Sequence, residues 1–487
     1  MTIGTLSTAV NRVLLAGFSG VEPPPWLLAA IDDGLAGVVY FAHNTPDLAT
    51  TAALSDRLHA ARADLVVAVD EEGGDVSRLQ AAEGSSLPGA GALGAVDDLG
   101  LTRGAGRALG DLLAAVGVDL DLAPVLDVNS APDNPVIGVR AFGSTPEVVA
   151  RHGTAFVVGL HEAGVAACGK HFPGHGATVV DSHLALPVVP GDRATVEARD
   201  IAPFAAAVAA GIDSLMTAHV VVPALGSEPG TPATLDPGVL ARARSLGLRG
   251  PVITDALDMG AVARDPGFGE ACVRALLAGA DLLCLGTTLH RDDEALYRSA
   301  HAAVTAAALS GRLDPARLVE AATRTARLGC ESRAVRRPSW RAAAERLELV
   351  GADAARRAVH WVGTPARLDR APSVAPTVVD LRTRFDHAAG RVAPHLQRAV
   401  AEAWPGTTVD GAAEQPLPTD GPVLLITRDW TGDAAERGRL TAALAERPDA
   451  VVLHAGTADA APVSRHVLLT WGVGRANARA AVAELQA

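Results

Sequence analysis

Lysine is all but missing from this chain. Of its 42 basic residues only Lys170 is a lysine, and arginine carries every other positive charge. Arginine therefore serves wherever a generic cation suffices, which marks Lys170 as a position that needs a compact three-donor ammonium rather than a planar guanidinium. Cysteine is scarce too. Cys168, Cys272, Cys284 and Cys330 form no C-x-x-C pair, which argues against a disulfide framework and a thiolate zinc site and fits a reducing compartment. The net charge is -13 and no basic cluster is interleaved with aromatics, which argues against nucleic acid and anionic membranes as partners. The apolar run after Arg12 is too short to span a bilayer and has neither a basic leader nor a cleavage signal. It is expected to be the first core strand, and a cytoplasmic setting is expected with it. Short-period repeats, low-complexity tracts and glycine-rich phosphate loops are also missing.

What is present is a long alternation of elements. The 487 residues are 49% hydrophobic, ample for one large barrel and a smaller domain. Eight short Val/Ile/Leu-rich runs, at 13–18, 37–41, 65–70, 118–123, 165–169, 214–217, 252–254 and 281–285, alternate with Ala-rich helical stretches. Eight buried strands, each followed by a helix, predict an α/β protein with a (β/α)8 barrel over residues 1–335. The basic, Pro-containing text from Arg333 to Trp340 opens a linker placed at 336–350. Five further strand runs, at 360–362, 378–381, 423–427, 451–454 and 467–470, predict a smaller three-layer α/β/α sandwich over 351–487, with no cluster of catalytic residue types.

In such a barrel the active site lies where the strands end. Polar residues recur there in register: Asp70 after the third strand, with Gly73, Gly74 and Arg78 following; Arg140 in the loop after the fourth; Lys170 and His171 at the end of the fifth; His219 at the sixth; Asp255 at the seventh. Pro173, Gly174 and Gly176 break any helix, so Asp181 and His183 are expected on a long irregular connection, the setting of a catalytic lid. Their i, i+2 spacing lets the aspartate hydrogen-bond the imidazole and keep its pKa near neutral, as general acid/base work requires. A lone carboxylate at the end of the seventh strand can attack an anomeric carbon and give net retention, which fits Asp255. Asp258 is expected to cap or orient the following helix.

Blander readings stand beside these. Asp70 and Arg78 could be a simple rim pair, His219 a satisfied rim histidine, and Asp127 and Asn129 loop ties. His171, His175 and His183 with a nearby aspartate could bind zinc, but a Pro/Gly-rich loop does not present i, i+4 ligands, so no metal and no cofactor are expected.

The motifs as a whole resemble family 3 glycoside hydrolases, and specifically their bacterial β-N-acetylglucosaminidase branch. The D-x-E-G-G-x-V-x-R pattern stands as Asp70, Glu72, Gly73, Gly74, Val76 and Arg78; R-[SA]-F-G runs from Arg140 to Gly143; K-H-F-P-G-H-G runs from Lys170 to Gly176. The D-S-H dyad that sets the branch apart is Asp181, Ser182 and His183, and T-D-A-L-x-M contains Asp255. The resemblance implies a retaining glycosidase for terminal N-acetyl-β-glucosaminides of cell-wall or chitin fragments. It makes His183 the acid/base tuned by Asp181 and Asp255 the nucleophile. Asp70, Arg78, Arg140, Lys170 and His171 would then hold sugar hydroxyls, with Met216 and His219 in the same binding set. Ala177 and Asp258 depart from the common pattern, which bears on substrate preference. Two alternatives remain at this stage: phosphorolysis, since a histidine repels phosphate less than a glutamate would, and a non-catalytic sugar-binding protein.

Overall fold

The computed structural model describes residues 3–180, 186–286, 291–329, 338–370, 372–383, 393–410 and 416–487. All eight expected barrel strands form: β1 (Leu14–Ala16), β2 (Gly37–Tyr40), β3 (Val66–Val69), β4 (Leu120–Asp121), β5 (Ala166–Phe172), β6 (Ser214–Thr217), β7 (Val252–Ile253) and β8 (Leu283–Cys284). Each pairs in parallel with its neighbours, β1 meets β8, and a bridge from Ile253 to Leu282 closes the ring between β7 and β8. Residues of alternate register fill the interior, among them Val39, Ala68, Leu120, Cys168, Met216, Ile253 and Cys284. The opposite register packs outward against the helices in the larger core. Burial on both faces is why these strands read as unbroken apolar runs.

The helices lie close against one another. Leu99–Ala115, capped by the Asp98 carboxylate, crosses Pro146–Glu162 so tightly that a Cβ on Gly159 would stand 2.3 Å from the Arg103 carbonyl oxygen. The stretch expected as a linker is helix from Trp340 onward. Trp340–Ala358 starts on a Ser339 cap and packs against Leu99–Ala115. There a Cβ on Gly351 would come within 1.8 Å of the Ser86 carbonyl oxygen.

The second domain carries six strands, one more than expected: β9 (His360–Gly363), β10 (Thr377–Asp380), β11 (Thr408–Asp410), β12 (Val423–Thr427), β13 (Val451–His454) and β14 (His466–Leu469). Their order is β11-β10-β12-β13-β14-β9, parallel except for β9, which runs antiparallel to β14. Separate apolar clusters line the two faces of this sheet, as a three-layer sandwich requires. Cys168, Cys272 and Cys284 are buried free thiols, and no helix among the described residues is long and apolar enough to cross a membrane.

Candidate active site

A cavity opens at the carboxyl ends of the barrel strands, and its lining divides by polarity. Asp70, Glu72, Arg78, Arg140, Lys170, His171, His175 and Asp255 supply the polar part, while Val39, Phe41, Leu122, Met216 and Cys284 are among its apolar walls. The polar part is built around Lys170, which is 1% exposed. Its Nζ donates to Asp70 Oδ1 at 2.6 Å and sits 2.7 Å from Glu72 Oε1. Glu72 in turn takes a fork from Arg140, with Nε to Oε2 at 2.9 Å and Nη2 to Oε1 at 2.8 Å. Burial works against the charge on Glu72, but Arg140 and Lys170 outweigh it and hold that carboxyl well below the usual range. Burial likewise opposes the Lys170 charge, and Asp70 and Glu72 reverse the effect and push its pKa up. Arg78 completes the cluster 3.6 Å from Asp70 Oδ2. The geometry matches the preference for an ammonium: a point charge fits between two carboxylates where a planar fork would not.

The loop after β3 carries three of these side chains. Gly73 and Gly74 take φ of +78° and +59°, which turns the chain so that Glu72 N–H donates to the Val76 carbonyl. Glu71 points the other way, is 1% exposed, and accepts from the backbone N–H groups of Arg78 and Leu79 at 2.8 and 2.9 Å. Burial raises its pKa to about 6.

On β5 the peptides Lys170–His171 and Phe172–Pro173 are cis. His171 Nδ1 donates to Asp127 Oδ2 at 2.7 Å, which leaves Nε2 facing Arg140 Nη2 at 3.4 Å. Asp127 also accepts the His175 N–H at 2.7 Å, so it is the loop tie considered from the sequence, and Asn129 does the same for Gly138 N–H at 3.0 Å. His175 lines the cavity, bonded through Nδ1 to Thr178 Oγ1 at 2.8 Å; burial lowers its pKa to about 4 and keeps it neutral.

Asp255 stands two residues past β7, with Oδ1 accepting Ala256 N–H at 2.8 Å, which fixes the plane of the carboxylate. Met216 lies in the cavity wall. His219 is placed differently from the expectation of a sugar contact: fully buried and outside the cavity lining, it donates from Nε2 to the Ala256 carbonyl at 3.0 Å and meets Thr234 Oγ1 through Nδ1 at 2.8 Å. It thus holds the residue next to Asp255. Asp258 pairs with Arg291 at 3.2 Å, and the helix Gly260–Val262 starts at Met259 without a side-chain cap. Asp181 and His183 lie outside the described residues. Among the described residues no group of three or more His, Cys, Asp or Glu side chains is placed to hold a metal ion.

Glu72, Phe41, His175 and Cys284 were not singled out as site residues by sequence reasoning. Phe41 and Cys284 stand at strand ends and share the positional signal that found Asp70 and Asp255. Composition and spacing alone do not say which of the adjacent Glu71 and Glu72 faces inward; the one signal is the D-x-E-G-G pattern, in which Glu72 holds the fixed position.

The sequence profile of the glycosyl hydrolase family 3 N terminal domain matches residues 29–328. A β-hexosaminidase of Xylella fastidiosa (strain 9a5c) is 41% identical over 284 residues, covering 56% of this chain and 82% of its own. β-Hexosaminidase A of Pseudoalteromonas piscicida is 33% identical over 317 residues, covering 60% of this chain and 53% of its own, so the match spans about half of that relative. Among solved structures, a glycoside hydrolase family 3 β-N-acetylglucosaminidase from Paenibacillus sp. str. FPU-7 superposes with a TM-score of 0.81 at 30% identity, over 100% of this chain and 96% of that one. Both domains therefore have a counterpart in one solved relative, and the resemblance to the β-N-acetylglucosaminidase branch is borne out. With a profile match that runs from β2 through β8 and takes in the cavity residues of those strands, the chain belongs to glycosyl hydrolase family 3.

Proposed function

We propose that the protein is a retaining β-N-acetylhexosaminidase that hydrolyses terminal, non-reducing N-acetyl-β-glucosaminides of cell-wall or chitin fragments. The observation that carries this reading is the placing of Asp255 in the wall of a cavity whose remaining polar groups are donors and acceptors suited to sugar hydroxyls. Those charges are paired with one another, which suits an uncharged ligand. The similarity to β-hexosaminidases directs the choice of sugar.

In this mechanism the Asp255 carboxylate attacks the anomeric carbon as the bond to the leaving oxygen breaks. His183, oriented by Asp181, gives its proton to that oxygen. It then takes one from the water that attacks the glycosyl-enzyme, releasing the sugar with retained configuration and freeing Asp255. Asp70, Arg78, Arg140, Lys170 and His171 hold the hydroxyls, and Met216 packs against the ring.

The test is p-nitrophenol release from the N-acetyl-β-glucosaminide and the β-glucoside side by side, with and without phosphate. Strong preference for the N-acetyl substrate at a rate indifferent to phosphate is expected. Phosphate-dependent turnover would replace hydrolysis by phosphorolysis, and sugar binding without turnover of either substrate would overturn the enzymatic reading.

A further inference from the structure

Asp75 is a buried carboxylate that the chemistry above does not use. It sits at the tip of the β3 loop, between Glu72 and Arg78, yet its side chain is 1% exposed and is not part of the cavity lining. Both of its oxygens bind the second domain: Oδ1 accepts Val473 N–H at 2.7 Å, and Oδ2 accepts Arg428 Nη1 at 2.7 Å. Arg428 follows β12 and Val473 lies just beyond β14, so two strands of the second sheet end on one side chain of the barrel.

The fit is shaped from both sides. Gly472 has φ of +123°, and a Cβ there would stand 2.9 Å from Asp75 Oδ1; a Cβ on Gly474 would stand 2.9 Å from the Gly74 carbonyl oxygen. Further along the same loop, Arg398 Nη1 donates to the Ala82 carbonyl at 2.9 Å and Ala476 N–H to the Ser85 carbonyl at 3.1 Å. None of these ties involves the β7 loop that carries Asp255. One more tie, from Thr431 Oγ1 to the Pro132 carbonyl at 3.0 Å, reaches the loop after β4 that carries Arg140; the ties named above fall on the loop that supplies Asp70, Glu72, Val76 and Arg78 to the cavity.

We propose that Asp75 is a positioning residue for sugar binding, through which the second domain locks the β3 loop and sets the substrate-holding half of the site. Removing this buried carboxylate takes the acceptor from the Val473 N–H and one partner from Arg428, and the loop then loses its fixed geometry. The proposal rests on the glycosidase reading above and deepens it: the second domain acts on ground-state binding, while Asp255 is held by Ala256 and, through it, by His219 of the barrel.

The experiment compares Asp75→Ala and Arg428→Ala, singly and together, on the aryl N-acetyl-β-glucosaminide. KM is expected to rise about tenfold with kcat within about threefold of the parent. The double variant should be no worse than the worse single one, because both remove the same tie. Asp75→Asn, which keeps an acceptor for Val473 N–H, should recover part of the loss. In the full chain, backbone amides of 72–79 should exchange faster in Asp75→Ala, while those of 252–257 should not. A fall in kcat at unchanged KM, or additive losses, would overturn the proposal. If Asp75→Ala does not fold, Arg428→Ala carries the same comparison. If the parent turns over no aryl glycoside, the activity reading fails by itself, and unchanged exchange at 72–79 would then sink the positioning role separately.

Discussion

Glu71 and Glu72 are chemically identical neighbours whose pKa values are moved in opposite directions. Glu72 faces two cations; Glu71, equally buried, faces backbone N–H groups, and its N–H donates to Asp121 Oδ1 at 3.1 Å. Burial, then the Glu71 charge, raises the Asp121 pKa well above the ordinary carboxylate range. A carboxyl whose pKa rises on folding from 4.5 to about 6 binds more protons folded than unfolded between those values. Its contribution to stability is therefore greatest below pH 4.5 and declines as the pH climbs through about 6. Glu71→Gln should accordingly gain on the parent over that window, by about 1–2 kcal/mol in urea titrations, and a pH-independent difference would contradict this. For the chemistry, Asp255→Ala should abolish turnover by several orders of magnitude; a loss below about tenfold would mean another nucleophile. His183→Ala should slow substrates with poor leaving groups far more than activated aryl glycosides, and equal losses on both would count against a general acid at that position.

At the scale of elements, β6 supports β7 through one imidazole. His219 grips the Ala256 carbonyl while Ala256 N–H donates to Asp255, so the histidine acts on Asp255 through a single residue. His219→Ala should lower kcat by about ten- to a hundredfold with KM within about threefold. A raised KM at intact kcat would restore it as a sugar contact. The barrel strands were legible in the sequence because burial on both faces writes an apolar run, and the strand ends made Asp70, Lys170 and Asp255 legible in turn. β11 was not, being a three-residue edge strand whose Thr408 and Val409 are exposed, so no apolar pattern is imposed on it. The reversal of β9 was equally hidden, since strand direction depends on connections rather than on composition. His219 shares its strand-end position with true cavity residues, and only the register of the fold turns it beneath Ala256.

At the scale of the whole molecule, the two domains are joined by packing as well as by hydrogen bonds. The helix Trp340–Ala358 lies so close to the barrel at Gly351 that a methyl group there must displace the Ser86 backbone. Gly351→Ala should cost about 1–3 kcal/mol of stability in urea titrations; an unchanged midpoint would show that the helix can ride outward freely. The single lysine has a practical consequence. An amine-directed reagent meets one lysine side chain in the entire sequence, and that side chain lies at the base of the cavity, closed to reagent in the resting fold. Lys170 is therefore the one side-chain amine such a reagent can report on. Label at Lys170, read by peptide mapping because the α-amino terminus also reacts, reports how often the ammonium is released from Asp70 and Glu72, and a bound sugar should slow it.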